Sequence, residues 1–191
     1  MNMPTLKFEL LAKEAFAFLE QSFGFKLCSV AEGILRYETE DVFVGVNYDA
    51  RRSYELSLDI GQKNVAVERA FNLGEVLRSV KAPDDVPSSY QVTSDEMLKK
   101  FLNKLAEALQ QYGVSFLRND PAAFGRLSEL RERECNQYAL ERDLRKARAE
   151  AETAWHKKDY PAVIKVLKPL RSSLTDTEIG KLDFAEKHFT P

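Results

Sequence analysis

The chain has 191 residues, with 28 Lys and Arg against 30 Asp and Glu and a formal charge of −2. That length makes one or two domains and buries a core without disulfide staples. No apolar run approaches the ~20 residues of a membrane span, the balanced charge lacks the basic footprint of a nucleic-acid binder, and Met1-Asn2-Met3-Pro4 lacks the segments of a secretory leader. The expectation is a cytoplasmic protein with neither a membrane nor a nucleic-acid partner. Its two cysteines, Cys28 and Cys135, are too few for a secreted scaffold. They are expected to be reduced and to pack as small buried hydrophobes.

From Leu6 to Phe23, the residues Phe8, Leu11, Ala15, Phe18 and Leu19 recur at three- and four-residue steps, and Gly24 follows as a cap. This predicts an amphipathic helix. The period then falls to two. Val42, Val44, Val46 and Tyr48 alternate with Phe43, Gly45, Asn47 and Asp49, and after Asp49-Ala50-Arg51-Arg52 the run Tyr54, Leu56, Leu58, Ile60 alternates with Glu55, Ser57 and Asp59. Two alternating runs across a short polar segment predict an antiparallel hairpin. Leu35, Tyr37 and Thr39 make a further strand, and Lys26 to Ala31 one before it, turning at Glu32-Gly33. The segment from Lys26 to Gly61 therefore reads as a four-stranded meander with the helix on its apolar face. Val65 to Phe71 is a candidate fifth, edge strand, and Leu73 to Val80 a short helix capped by Asn72.

Lys81 to Tyr90 contains Ala-Pro-Asp-Asp-Val-Pro-Ser-Ser and has no period, so it reads as a loop. This divides the chain into an α+β domain (1–80), a linker (81–92) and an all-helical region (93–191). In that region Thr93-Ser94-Asp95-Glu96 matches a capping box, followed by an apolar stripe from Leu98 to Tyr112 and by Gly113. Asp120-Pro121 starts a second helix that meets no proline before Lys158. Its length favours a break near Gly125 or Asn136. Leu140, Leu144, Ala147, Ala151 and Ala154 follow a 4-3-4-3 spacing, the seam of a helix-pairing surface.

Ala154-Trp155-His156-Lys157-Lys158-Asp159-Tyr160-Pro161-Ala162-Val163-Ile164 resembles the helix–turn–helix junction of a tetratricopeptide repeat. The resemblance implies one such helical hairpin around residues 148–182, with Trp155, Tyr160, Ile164 and Leu167 at packing positions. Lys158 stands where the repeat prefers glycine, Val163 replaces its usual alanine, and Pro169 interrupts the second helix. Thr175-Asp176-Thr177-Glu178 forms another capping box, leading to Leu182, Phe184, Ala185 and Phe189.

The chemistry-bearing residues are sparse. No glycine loop fits a phosphate, and there is no H-E-x-x-H or C-x-x-C, so neither a nucleotide cofactor nor a zinc ion is expected. If Cys135 and His156 share one helix, they stand ~31 Å apart, too far for a nucleophile and its base. The polar face of the meander carries Arg36, Glu38, Asn47, Glu55, Ser57 and Asp59, and Phe43 is the odd aromatic among them. Glu55 and Asp59 alone lie ~13 Å apart along a strand, so a carboxylate pair there would need a cross-strand member. Arg131, Arg133, Arg142, Arg145 and Arg148 interleave with acids and read as a salt-bridged helix surface.

No catalytic residue, cofactor ligand or metal ligand stands out. The expected function is a non-enzymatic protein-interaction module, an adaptor or an antagonist of the immunity-protein type. Phe43, Arg51, Arg52, Leu140, Leu144, Ala147 and Ala151 are its candidate partner-binding residues. One alternative is a small-ligand binder or enzyme using the meander's polar face or an inter-domain groove. The other is a structural homodimer through the long helix.

Overall fold

The computed structural model describes residues 4–63 and 69–189, with side chains from Lys7 to Lys63 and from Ala70 to Phe189. The fold is α+β: an N-terminal helical segment on an antiparallel sheet, followed by a long helical region. It forms two compact units, residues 1–131 and 132–191. No helix among the described residues is long and apolar enough to cross a membrane.

The first unit opens with α1 (Pro4–Ala15) and α2 (Ala17–Phe23). The single helix expected over this span is broken at Phe16, where the ladder tightens to a Leu19 N–H to Phe16 carbonyl bond of 3.0 Å. Both Phe16 and Leu19 are thereby fully buried. Gly24 ends α2 in the left-handed conformation (φ 72°), which costs glycine little.

Four strands then pair in chain order: β1 (Lys26–Ala31), β2 (Ile34–Glu38), β3 (Val42–Tyr48) and β4 (Glu55–Gln62). A bulge between Leu27 and Ser29 interrupts β1 at Cys28, the irregularity that edge strands use to discourage further pairing. The far edge of β4 is shared. β5 (Arg69–Asn72) pairs with its second half and β6 (Ser89–Gln91) with its first. The expected edge strand at Val65 to Phe71 is thus present from Arg69, while residues 65–68 lie outside the described residues. β6 falls where the sequence indicates only loop; its three residues are too few to show a period. Between β5 and β6, α3 (Leu73–Ser79) begins in a full capping box: Asn72 accepts from the Glu75 N–H at 3.0 Å, and Glu75 accepts from the Asn72 N–H at 2.9 Å.

Leu35, Tyr37, Val44, Val46, Leu56, Leu58 and Ile60 point to one face of the sheet and are nearly or fully buried. They share a core with Phe8 and Ala12 of α1, and with Leu98, Leu102, Leu105 and Leu109 of α4 (Asp95–Tyr112). The same core takes in Val92, Phe116 and Leu117 of α5 (Val114–Leu117), and Ala123, Phe124 and Leu127 at the start of α6 (Pro121–His156). Hydrophobic packing therefore runs straight through the 81–92 stretch, and the first unit extends to Arg131. The N-cap of α4 is Ser94, whose side chain accepts from the Met97 N–H, rather than Thr93 of the expected box.

The α6 helix is continuous over 36 residues, ~54 Å, with no break at Gly125 or Asn136. In the second unit its last turns pack with α7 (Tyr160–Leu167), a 3₁₀ turn at Lys168–Ser173, and α8 (Asp176–His188). Asp159 caps α7 and Thr175 with Glu178 boxes α8. Ala147, Ala151, Ala154, Val163, Leu167, Leu182 and Ala185 form this unit's core.

Candidate functional site

The sheet face opposite the main core is built in rows. Across the strands, Arg36, Gly45, Asp59 and Asn72 are successive partners, with Glu38, Phe43, Gly61 and Ala70 on one side and Ile34, Asn47 and Ser57 on the other. Gly45, in mid-strand, brings no side chain of its own to its row, and a hollow of about 210 Å³ lies there. Ile34, Arg36, Phe43, Asn47, Asp59 and Ala70 surround it, with Gly45 as floor. The Asp59 carboxylate lies across Gly45, so closely that a Cβ there would stand 2.1 Å from its Oδ1. Asn47 Nδ2 donates to Asp59 Oδ2 at 3.1 Å. Burial pushes the Asp59 carboxyl above its ordinary value, against the bonds from Asn47 and Gly45 and the charge of Arg36.

Phe43 is only 3% exposed, which corrects its expected place as a wet aromatic. The Arg36 guanidinium lies over its ring at 3.9 Å, a stacking arrangement favoured by the ring's negative face. Arg36 Nε donates to Glu38 Oε1 at 2.6 Å, and Lys63 Nζ reaches Glu38 Oε2 at 2.5 Å. Those two cations hold the Glu38 carboxyl below the usual range. No second carboxylate lines the hollow, so the paired-acid geometry of a glycosidase is not assembled among the described residues.

Arg51 and Arg52 sit at the β3–β4 tip, both exposed. The Asp49 side chain shapes this tip by accepting from the N–H groups of Arg51, Arg52 and Ser53 and from the Ser53 hydroxyl. Arg51 is paired with Glu32 of the neighbouring turn. The cysteines are both free and exposed, which corrects the expectation of burial: Cys28 stands at the bulge of an edge strand, and Cys135 on a stretch of α6 exposed from Glu132 to Tyr138. Cys135 and His156 share α6 and stand far apart.

In the second unit the sequence-predicted seam turns inward. Ala147, Ala151 and Ala154 are core residues against α7 and α8, Leu144 is buried and Leu140 half-buried. The small residues leave a groove of about 380 Å³ with Ala151, Val163 and Leu167 among its lining. Two ion pairs rim it, Arg148 with Glu178 (2.6 and 3.3 Å) and Lys181 with Glu152 (2.8 Å). Arg148, with the Thr175 cap, lowers the Glu178 carboxyl to about 2 against the effect of burial.

One step further along both helices, Trp155 meets Phe184 edge-on at 5.5 Å. The contacts 148–178, 152–181 and 155–184 advance in the same direction on each helix, so the end of α6 and α8 run parallel. Tyr160 joins both rings at 5.9 and 5.7 Å, and His188 stacks on Phe184 at 3.9 Å. Lys181 stands over Trp155 at 5.6 Å. Phe184 remains 41% exposed and the neighbouring Phe189 47%. This ring cluster is the site that sequence reasoning missed: its members are spread over 34 positions, and only the parallel pairing of α6 and α8 assembles them.

No protein-family model matches the chain, and no curated protein or solved structure is significantly similar to it.

Proposed function

We propose that the chain is a non-enzymatic protein-interaction module, an adaptor or antagonist, that contacts its partner along α8 and the last turns of α6, from Arg148 onward. The observation that carries this reading is the half-exposed cluster of Trp155, Tyr160, Phe184 and His188. Interlocked rings lose little rotamer entropy on binding and supply large contact area, which is why aromatic residues dominate interface hot spots. The apolar-floored groove with its parallel ladder of ion pairs continues the same strip.

The occupant that fits is a protein segment with an apolar anchor beside acidic residues. Lys157, Lys158 and Lys187 flank the rings and make no ion pair among the described residues, leaving charge for a partner to meet. His188 already covers a face of Phe184 and Lys181 approaches Trp155. That leaves poor stacking platforms for nucleobases, which need open ring faces.

The test is affinity capture from the native host with the wild type, Phe184→Ala, and Tyr138→Ala as an exposed control on α6. The expected result is a stoichiometric protein whose recovery falls at least about tenfold with Phe184→Ala and is unchanged with Tyr138→Ala. A partner retained by Phe184→Ala, or recovery of nucleic acid instead, overturns the reading.

A further inference from the structure

We propose that the hollow over Gly45 on the sheet's outer face binds an alkylammonium or guanidinium group, with Asp59 as its counter-ion and Asn47 as a second acceptor. The site belongs to the first unit and is independent of the function proposed for the second.

Three observations carry it. First, the hollow is built into the strands rather than left between loose side chains. Gly45 is its floor, and a side chain there is incompatible with the carboxylate's seat. Second, the acid is fixed, and Arg36, which also lines the hollow, acts on it through its charge but forms no ion pair with it. Asn47 holds one oxygen and the Gly45 N–H also donates to the carboxylate; among the described residues no salt bridge reaches Asp59, Arg36 being bonded to Glu38 and stacked on Phe43. Burial alone is what disfavours its charge most, so an incoming cation would restore the interaction that desolvation removed. Third, the groups turned to the hollow sort by chemistry. Having donated to Asp59, Asn47 keeps its side-chain oxygen as an acceptor. Ile34, 47% exposed, and exposed Ala70 supply an apolar wall against which a methylene stem can lie. An anion would face Asp59 directly. A neutral apolar group would leave the carboxylate desolvated and unpaired, the costlier outcome.

The same chemistry is available from a free small amine and from a lysine or arginine side chain of another protein. The test is a titration of ¹⁵N-labelled full-length protein followed at the Asn47 side-chain amide and the Gly45 backbone N–H. The probes are n-butylammonium chloride, the blocked amino acid Nα-acetyl-lysine methylamide, and tetramethylammonium chloride, which has no N–H to donate, all at constant ionic strength. Saturable shifts at both signals with butylammonium support a site open to a free amine. Saturation by the blocked lysine alone supports a site for a partner's side chain. In either case Asp59→Asn weakens binding at least about tenfold, and so does Gly45→Ala, which displaces the carboxylate without removing it and serves where Asp59→Asn fails to fold. The proposal is overturned if neither donor saturates, if tetramethylammonium does so equally, or if both variants bind as the wild type does.

Discussion

Replacing Arg131 tests how the start of α6 is locked to the sheet. Arg131 donates from Nε and Nη2 to the two oxygens of Glu75, each at 2.6 Å, and from Nη2 to the Ala70 carbonyl at 2.8 Å. Its guanidinium lies 3.9 Å over the Phe71 ring. Glu75 is 7% exposed, and losing its partner leaves the carboxylate with the Asn72 N–H as its remaining close bond. Removing one member of a buried pair costs about 3–5 kcal/mol, and the cation–π contact adds about 0.5–1 kcal/mol. Arg131 is itself 28% exposed on its side chain, so water relieves part of this. We expect Arg131→Met to lose about 2–4 kcal/mol in urea unfolding, read by hydrogen exchange at the Val44 and Ile60 amides. The double variant Arg131→Met with Glu75→Gln should recover most of that loss, because the stranded charge is gone while the amide still accepts from Asn72. Burial raises the Glu75 carboxyl, but Arg131, the Asn72 N–H and Arg78 together bring it below its ordinary value. The wild type's advantage over Glu75→Gln is therefore complete above the usual carboxylate range and is lost as pH falls from there through the lowered folded value. A loss under 1 kcal/mol, or equal losses in the single and double variants, refutes the reasoning.

At the β1–β2 turn, Gly33 has φ 75° and a Cβ would stand 2.3 Å from the Tyr48 carbonyl oxygen; Gly33→Ala should lower stability by at least about 1–2 kcal/mol, measured by thermal unfolding. Gly125 and Gly180 are exposed inside helices with nothing within 4 Å of an added Cβ, so Gly125→Ala and Gly180→Ala should each stabilise by about 0.5–1 kcal/mol. Glu178, held near pH 2 by Arg148, stabilises α8 above the ordinary carboxylate range and less as pH falls toward 2; Glu178→Gln should flatten the acid limb of Tm against pH followed by Trp155 fluorescence. Ala147→Leu overfills a core position and should cost about 1–3 kcal/mol without changing the mass seen by light scattering, whereas a pairing seam would associate more tightly.

Legibility followed periodicity. β2 and most of β4 bury alternate residues as the spacing implies, because a strand with one face in the core writes its burial into every second residue. Asn72 was readable as a cap because capping is chemistry within four residues. Where burial depends on distant chain, the pattern fails. Phe43 and Gly45 occupy positions that alternate as a wet face, yet both are buried, and β6 is held by pairing with the distant β4 and by Tyr90 stacking on Phe101. Of the 4-3-4-3 seam, Ala147, Ala151 and Ala154 pack on the chain's own α7 and α8, an occupant that spacing alone does not name.

The two candidate sites differ in what sequence could have revealed. The hollow was half visible: Arg36, Asn47 and Asp59 were already grouped on the polar face, and Gly45 and Gly61 stand in the strands as residues that weaken a sheet unless something needs their space. Asp59 supplies that need at Gly45, since its carboxylate fills the volume a side chain would take. The ring cluster had no such local sign. Trp155 and Tyr160 flank one turn, but Phe184 and His188 join them only because α8 runs parallel to α6 in the register marked by the pairs Arg148–Glu178 and Glu152–Lys181. A one-step slip of that register would leave Phe184 without Trp155. Partly exposed ion pairs add little, so the buried contacts of Ala151, Ala154, Leu182 and Ala185 contribute most to holding that register.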